Sequence, residues 1–125
     1  PLPVRVYRAG GAAGTRPGIV YFHGGGWVCG SLDSHDSSCR LLAEVTGAVV
    51  AAVDYRLAPE HPWPAAVDDA LAAWAWVNGH ARELGIESGR IGVMGDSAGG
   101  NLAAVLSLAA RDRGLPLPVA QGLIY

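Results

Sequence analysis

Short apolar runs alternate with longer amphipathic segments along the chain. The short runs are rich in β-branched and aromatic residues, a composition typical of buried strands. The longer segments repeat apolar residues at helical spacing, which predicts helices with one buried side. The predicted strands are 4–7, 19–23, 48–55, 90–95 and 119–125, and the predicted helices lie near 34–46, 64–79 and 98–112.

The first of these helices carries signals at both of its ends. Asp33 or Ser34 is suited to accept hydrogen bonds from the first free amides, and Gly47 is a typical terminator. Leu42 and Val45 fall on one side of this helix. We therefore expect both of them to face the core.

The order of the elements predicts an α/β fold. The strands are apolar throughout instead of at every second position, which is typical of a mostly parallel sheet with helices on both faces. A length of 125 residues, of which 50% are hydrophobic, allows one domain with a substantial core. The chain does not begin with methionine and ends within a predicted strand, so we expect a segment of a longer protein.

Composition narrows the range of partners and locations. A net charge of −2 gives no basic surface that would attract nucleic acid or anionic lipid. No apolar run reaches the ~18 residues of a membrane span, and no signal peptide is recognisable, so we expect a cytoplasmic protein with no membrane partner. Cys29 and Cys39 match no metal-ligand spacing and are expected to be small buried residues.

The segment GDSAG, residues 95–99, ends a predicted strand and begins a predicted helix. In the G-x-S-x-G pattern, a strand turns sharply into a helix and presents a nucleophilic serine at the bend. Side chains two residues on either side of Ser97 would collide, so glycine is needed at both places. The N-terminus of the helix favours a negative charge that develops there. The alternative is a tight turn in which Ser97 merely caps the helix.

The segment HGGGW, residues 23–27, directly follows another predicted strand. Consecutive glycines leave their peptide amides uncovered, and such amides are good donors to an oxyanion. A loop of this type supplies the second half of the oxyanion hole in some serine hydrolases. The alternative is a flexible turn. Because both segments end buried strands and occur in the required order, together they indicate an acyl-transfer site.

The segments HGGGW, DYRLAPEHPWPAAVDDA and GDSAGG together resemble the hormone-sensitive lipase-like esterases, the bacterial family IV carboxylesterases of the α/β-hydrolase superfamily. The resemblance covers essentially the whole chain. It implies that residues 1–125 are the N-terminal part of an α/β-hydrolase domain, without the helical cap and the last strands.

The resemblance also implies roles for individual residues. Ser97 corresponds to the nucleophile, and the backbone amides of Gly25, Gly26 and Ala98 correspond to the oxyanion hole. The supporting residues, which are not members of the catalytic triad, are His23, Gly24 and Asp96.

Three further positions have roles implied by the same resemblance. Trp27 is expected to line a pocket for the acyl or alcohol group. Arg56 and Glu60 are expected to form an ion pair or hydrogen bonds beneath the site.

The activity that the resemblance implies is hydrolysis of short-chain carboxylic esters through an acyl-enzyme on Ser97. It implies a small-molecule ester as partner, no metal and no cofactor, and it leaves the oligomeric state open. A second hypothesis is a protein that binds a small ligand without catalysis. The plant gibberellin receptors resemble the same family and lack the triad histidine.

The remaining members of a triad have no evident candidates in this chain. The order in this fold is serine, acid, histidine, whereas all four histidines precede Ser97. His35 and His61 lie in loops, where we expect hydrogen-bonded structural residues. The only acid after Ser97 is Asp112, at the end of a helix, where a surface position is expected.

The incomplete triad affects what we expect of the isolated segment. We expect the acid and the histidine of the triad to lie beyond Tyr125. The 125 residues by themselves are then expected to be inactive. They are also expected to aggregate or to need a partner, because the last strand would leave an exposed edge and an uncovered apolar face.

Overall fold

The computed structural model describes residues 1–11 and 13–125, which form a five-stranded sheet and three helices. The elements are β1 Val4–Tyr7, β2 Arg16–Phe22, α1 Asp36–Thr46, β3 Val49–Val53, α2 Ala65–Gly79, β4 Ile86–Asp96, α3 Ala98–Asp112 and β5 Gln121–Ile124. The strands run in the order β1-β3-β2-β4-β5 across the sheet. β1 pairs antiparallel with β3, and the other neighbours are parallel.

All eight predicted elements are confirmed, although two strands begin earlier than predicted. β2 starts at Arg16 and β4 at Ile86. These two residues pair with each other, and the register shifts between this pair and the pair Gly18–Ile91. The first residues of both strands are more polar than the rest, and they are strand residues because they pair with each other. A pattern of hydrophobic positions does not reveal this pairing.

Helices cover both faces of the sheet, as predicted. α2 and α3 pack on the face that carries Val20, Phe22 and Val93. α1 packs on the opposite face, where Cys39 and Ala43 lie in a smaller cluster. Because each face is buried under a helix, the interior strand β3 is buried at every position.

α1 ends where predicted, but its first residue and its buried face differ from the prediction. Gly47 closes it in the left-handed conformation, at φ 69°. The prediction of Asp33 or Ser34 as cap was wrong, since His35 takes that position and no side chain caps the helix. The prediction for Val45 was also wrong: its side chain is 77% exposed, because Cys39 and Ala43, one helical turn apart, are the residues that face the sheet.

α2 lies against α3, and its apolar side is held by one large residue. Trp74 is fully buried, and its indole Nε1 donates a hydrogen bond to the carbonyl oxygen of Pro116 at 2.8 Å. Trp76, two residues later, lies on the outer side and stacks on His80 instead. Trp74 therefore ties α2 to the segment that leads into β5.

β5 forms one edge of the sheet. Its residues Leu123 and Ile124 keep substantial exposure, and so does Tyr125 after it. Among the described residues, no helix combines the length and the apolar character needed to cross a bilayer. Aggregation of the isolated segment stays a prediction.

Replacement of Trp74 by phenylalanine is expected to lower the free energy of unfolding by about 1–3 kcal/mol. The change removes the indole hydrogen bond to the Pro116 carbonyl and creates a small cavity in the core. Denaturant unfolding measures the loss. Trp76→Phe is the matched control on the same helix and is expected to have little effect; equal losses in both variants would contradict this account of Trp74.

Candidate active site

The turn from β4 into α3 places Ser97 in a strained backbone conformation. Its φ is 52° and its ψ is −118°, and the residue is exposed at the end of the strand. A non-glycine residue at positive φ is uncommon and persists where the surrounding structure holds it. Although Ser97 occupies the cap position of α3, its hydroxyl makes no capping hydrogen bond. The alternative of a helix-capping serine therefore finds no support.

The two glycines that flank this bend have no room for a side chain. A Cβ on Gly95 would lie 2.6 Å from the carbonyl oxygen of Phe22, and it would overlap the backbone of Gly99. A Cβ on Gly99 would lie 2.6 Å from the carbonyl oxygen of His23. A side chain on Gly95 would thus overlap Gly99, as expected, and a side chain on either glycine would also overlap the backbone at the end of the neighbouring strand β2.

The backbone amides around Ser97 differ in their hydrogen bonding. The Ser97 amide donates to the carbonyl of Ile124 at 2.8 Å, so β5 helps to hold the bend. Ala98 is the first residue of α3, and amides of the first helical turn lack an intrahelical acceptor. The positive end of the helix dipole lies at the same place.

The loop after β2 folds into a tight turn that leaves two amides available. The amides of Val28 and Cys29 both donate to the carbonyl of Gly25, at 3.1 and 3.0 Å. Gly25 has φ 132° and Gly26 has φ 61°, conformations that favour glycine. Within residues 1–11 and 13–125, the amides of Gly25 and Gly26 have no hydrogen-bond acceptor. This is the state that an oxyanion donor requires before substrate binds.

The carboxylate of Asp96 joins this loop to the serine turn. Its Oδ1 accepts hydrogen bonds from the Tyr21 hydroxyl at 2.7 Å and from the Gly24 amide at 3.1 Å. Its Oδ2 lies 3.4 Å from His35 Nε2. A Cβ on Gly24 would lie 3.0 Å from the main-chain oxygen of Asp96, so the two segments are in direct contact. The glycine loop and the serine turn therefore lie next to each other.

Asp96 is ionised at neutral pH. Burial raises the pKa of its carboxyl, but the Tyr21 hydrogen bond, the proximity of His35 and the Gly24 amide together lower it below its ordinary value. Burial, with the neighbouring Asp96 carboxylate, raises the pKa of Tyr21 well above its ordinary value. The tyrosine therefore remains a donor and the aspartate an acceptor.

His23 anchors the glycine loop from inside the protein. Its ring is buried, its Nδ1 lies 2.8 Å from the carbonyl oxygen of Gly24, and it stacks on Tyr55 with centroids 4.4 Å apart. The Tyr55 hydroxyl donates to the His23 carbonyl at 2.6 Å. Burial lowers the pKa of His23, so the ring stays neutral, with its Nδ1–H directed at Gly24.

Arg56 pairs with a residue other than the one predicted. Its guanidinium contacts both carboxylate oxygens of Asp69 on α2, with NH2 to Oδ1 at 2.7 Å and Nε to Oδ2 at 2.9 Å. The Arg56 amide also donates to Asp69. Glu60 is exposed in the loop, so the predicted pair with Glu60 was wrong. Asp69 faces this loop from the start of α2, which local sequence does not reveal.

A cavity of about 400 Å³ opens beside the glycine loop, between α2 and α3. Gly26 and Trp27 line it from the glycine loop, and Trp63, which is largely exposed, lines it as well. The Ala58 amide donates to the Trp27 carbonyl at 2.8 Å, which connects the two loops at this edge. Trp27 therefore lines a cavity beside the glycine loop, and its role in binding an acyl or alcohol group stays a prediction.

The other histidines and the cysteines occupy separate places. His61 lines the cavity, and His80 stacks on Trp76 at the end of α2. In the part of the chain that the structure describes, no histidine forms a hydrogen bond with Ser97. Cys39 is buried as predicted, but Cys29 is exposed, because it follows the glycine loop where no helix covers it.

Two residues of the site were not singled out from the sequence. Tyr21 lies inside an apolar strand, opposite Met94 in the β2–β4 ladder and thus two residues before Asp96. Tyr55 follows β3 and reaches across to His23. Only the register between strands brings them to the site, and no local motif marks either residue. Among the described residues, no group of three or more His, Cys, Asp or Glu side chains is arranged to hold a metal ion.

Comparisons with known proteins identify relatives along the whole chain. The family model described as alpha/beta hydrolase fold matches residues 19–125. The carboxylic ester hydrolase LipN of Mycobacterium tuberculosis is 52% identical over 99% of this chain and 34% of its own length. The ethyl acetate hydrolase of Pseudomonas putida is 50% identical over 99% of this chain and 40% of its own length.

A solved structure shows the same arrangement of the backbone. The hyperthermophilic esterase from the archaeon Pyrobaculum calidifontis superimposes with a TM-score of 0.94 at 54% identity, over 98% of this chain and 39% of its own. The chain thus spans between about a third and two fifths of the length of these three relatives.

Alanine in place of Gly95 is expected to lower the free energy of unfolding by about 3 kcal/mol or more. Its Cβ would overlap main-chain atoms of two other segments, none of which can move like a flexible side chain. Thermal or denaturant unfolding measures the change. Gly79→Ala is the matched control in a helix with open space around it, and it is expected to be neutral or slightly stabilising. A Gly95→Ala protein as stable as the control would contradict the geometry of the turn.

Replacement of Asp96 by asparagine is expected to lower the free energy of unfolding at pH 7 by about 1.5–3 kcal/mol, because a charged acceptor for two hydrogen bonds is lost. The folded-state pKa of Asp96 is depressed, so its contribution is complete at neutral pH and disappears as pH falls through that pKa. Unfolding midpoints at pH 7 and in the acid range measure both effects.

Asp112→Asn, on the surface at the end of α3, is the control and is expected to differ from the unaltered protein at neither pH. A difference between Asp96→Asn and the unaltered protein that persists undiminished into strong acid would refute the assignment of an ionised Asp96.

Proposed function

The chain belongs to the family with the alpha/beta hydrolase fold, and from this membership we propose that it carries the nucleophile and the oxyanion hole of a serine carboxylesterase. In this proposal Ser97 attacks the carbonyl carbon of an ester and forms an acyl-enzyme, which water then hydrolyses. The amides of Gly25, Gly26 and Ala98 bind the oxyanion of each tetrahedral intermediate.

The observation that carries the proposal is the pair of unengaged amides next to an exposed serine. Gly25 and Gly26 are held in a turn that uses the carbonyl of Gly25 and leaves both amides without an acceptor among the described residues. The contact between Gly24 and Asp96 holds this turn against the serine segment. Donors fixed before substrate arrives need no reorganisation during the reaction, and each is worth a factor of about 10²–10³ in rate.

The strained backbone at Ser97 serves the same chemistry. The positive φ carries the side chain away from the strand and leaves it exposed at the carboxyl edge of the parallel sheet. The first turn of α3 then lies directly behind the hydroxyl, and its dipole favours the negative charge that forms on the substrate oxygen. Within a regular strand or a regular helix, a serine could not be both exposed at the edge of the sheet and next to the N-terminus of a helix.

His23, Gly24 and Asp96 act as supporting residues in this proposal. His23 is neutral and hydrogen-bonded within the loop, so it positions the glycines and does not take the serine proton. Asp96 uses its oxygens on Tyr21, Gly24 and His35. We propose that the base and its acid partner lie outside these 125 residues, which form part of a larger α/β-hydrolase domain.

The substrates proposed are small neutral carboxylic esters. The cavity beside the glycine loop is lined mainly by apolar side chains. The relatives are named carboxylic ester hydrolase and ethyl acetate hydrolase, which supports this class. A cytoplasmic location stays a prediction, and the proposal leaves the oligomeric state open.

Replacement of Ser97 by alanine in the full-length protein is expected to reduce kcat for p-nitrophenyl butyrate by about 10³-fold or more, because the covalent route is lost. A fluorophosphonate probe is expected to label the unaltered protein and to leave the variant unlabelled. Ser107→Ala is the matched control: this serine lies in the same helix and bonds only to the Ala103 carbonyl, so both readouts should persist.

Labelling that survives Ser97→Ala would reject Ser97 as the nucleophile. An unaltered protein that is folded and binds esters, but neither hydrolyses them nor reacts with the probe, would reject the esterase and favour the receptor-like alternative.

A further inference from the structure

We propose that Tyr21 and Tyr55 are positioning residues of the oxyanion hole, because their hydroxyl groups together hold the peptide plane from which the glycine loop begins. This inference rests on the proposed function and adds two residues to the same site. Both tyrosines are buried, and they come from different parts of the sheet: Tyr21 lies in β2 and Tyr55 follows β3.

The peptide between His23 and Gly24 is bonded at both of its polar ends. Its carbonyl, which belongs to His23, accepts the Tyr55 hydroxyl at 2.6 Å. Its amide, which belongs to Gly24, donates to Oδ1 of Asp96 at 3.1 Å, and the same oxygen accepts the Tyr21 hydroxyl at 2.7 Å. Because a trans peptide is planar and its carbonyl and amide point in opposite directions, the two contacts together restrain rotation of the plane.

The next two peptides carry the amides that have no acceptor. The Gly25 amide shares its plane with the Gly24 carbonyl, which lies 2.8 Å from Nδ1 of His23. The Gly26 amide shares its plane with the Gly25 carbonyl, which accepts two amides from the turn that follows. In each plane the carbonyl is held, while the amide has no acceptor among the described residues. The orientation of both amides therefore depends on how firmly the first plane is held.

Packing fixes the position of each hydroxyl. The Tyr55 ring stacks on His23 with centroids 4.4 Å apart and meets the edge of Phe22 at 6.5 Å. The Tyr21 ring lies in the cluster with Cys39 beneath α1. Burial raises the pKa of both phenols above the ordinary value, so both remain hydrogen-bond donors at neutral pH.

The reaction step that this arrangement affects is the formation of negative charge on the substrate oxygen. A bound ester carries no oxyanion, so amides that are displaced stabilise the transition state less and leave the binding of the ester nearly unaltered. Loss of one oxyanion donor costs a factor of about 10²–10³ in kcat, and a displaced donor retains part of its effect. Loss of one tyrosine hydroxyl is therefore expected to lower kcat and to leave KM nearly constant.

The test compares Tyr21→Phe and Tyr55→Phe with the unaltered full-length protein. The concentration of active sites is titrated with a fluorophosphonate, so that unfolded protein does not enter kcat. With p-nitrophenyl butyrate, kcat is expected to fall about tenfold in each variant, while KM changes by less than about twofold. A residue that only stabilises the fold would change the number of titrated sites and leave kcat per site unaltered.

A trifluoromethyl ketone provides a second readout of the oxyanion hole. The Ser97 oxygen bonds to the carbonyl carbon of this inhibitor, the serine proton passes to the base of the enzyme, and the carbonyl oxygen becomes an oxyanion. The inhibition constant is expected to rise by about the same factor as kcat falls, because the adduct resembles the tetrahedral intermediate. The methyl ketone of the same chain length, bound without an adduct, is expected to show no change.

Tyr7→Phe is the matched control. Tyr7 is also buried, and its hydroxyl donates to the Asp36 carboxylate at 2.9 Å, so the variant loses the same kind of bond. This tyrosine lies in β1, at the edge of the sheet opposite β5. Its replacement is expected to leave kcat, KM and the inhibition constant unaltered.

The double variant, with Tyr21→Phe and Tyr55→Phe combined, tests whether the two hydroxyls hold the same plane. In each single variant the contact at the other end still restrains this plane. The double variant is therefore expected to lose more kcat than the product of the two single losses, which is a coupling between residues that share a partner. A loss equal to the product would contradict joint restraint of one peptide.

Failure of this inference differs from failure of the proposed function. Unaltered kcat and inhibition constants in the folded Tyr21 and Tyr55 variants, or an equal loss in Tyr7→Phe, would overturn the inference and leave the esterase proposal intact. If Tyr55→Phe does not fold, Tyr21→Phe decides with the same two readouts. Absence of Ser97-dependent hydrolysis in the unaltered protein would instead reject the proposed function, and this inference with it.

Discussion

The carboxylate of Asp96 is the interaction on which the geometry of the candidate site depends. It lies next to Ser97 in sequence, yet its oxygens hold Tyr21 of β2, the Gly24 amide and His35 at the start of α1. The end of β2 with the glycine loop, and the start of α1, are thereby fixed to the serine turn around one ionised group. Because the pKa of this group is lowered in the fold, the arrangement is held by charge-assisted hydrogen bonds at neutral pH.

Close backbone approach is the second constraint, and it explains the distribution of glycine. Gly95 and Gly99 allow the serine turn to rest against the carbonyls at the end of β2. Gly24 allows the next loop to lie on Asp96. The absence of side chains is thus what lets a strained serine and a row of peptide amides occupy the same small region, where the strain at Ser97 is held in place by packing.

The cavity and the Arg56–Asp69 pair divide the site into a polar and an apolar half. On the polar side lie the amides of Gly25 and Gly26, which have no acceptor among the described residues, and the N-terminus of α3. On the apolar side, α2 and α3 provide aliphatic lining, and Asp69 compensates the guanidinium that would otherwise attract anions. Under the proposed function, this division suits a neutral ester, whose charge would appear only during the reaction.

The sequence by itself determined the order of strands and helices along the chain, the bend at Ser97 and the glycine loop. These features depend on local periodicity and on backbone conformations that few residues adopt. It did not determine that Tyr21 and Tyr55 belong to the site, that Asp69 and not Glu60 pairs with Arg56, or that Cys29 and Val45 are exposed. Those facts depend on strand register and on which face of a helix meets the sheet. Register and packing join residues far apart in the chain, so only the tertiary structure decided them.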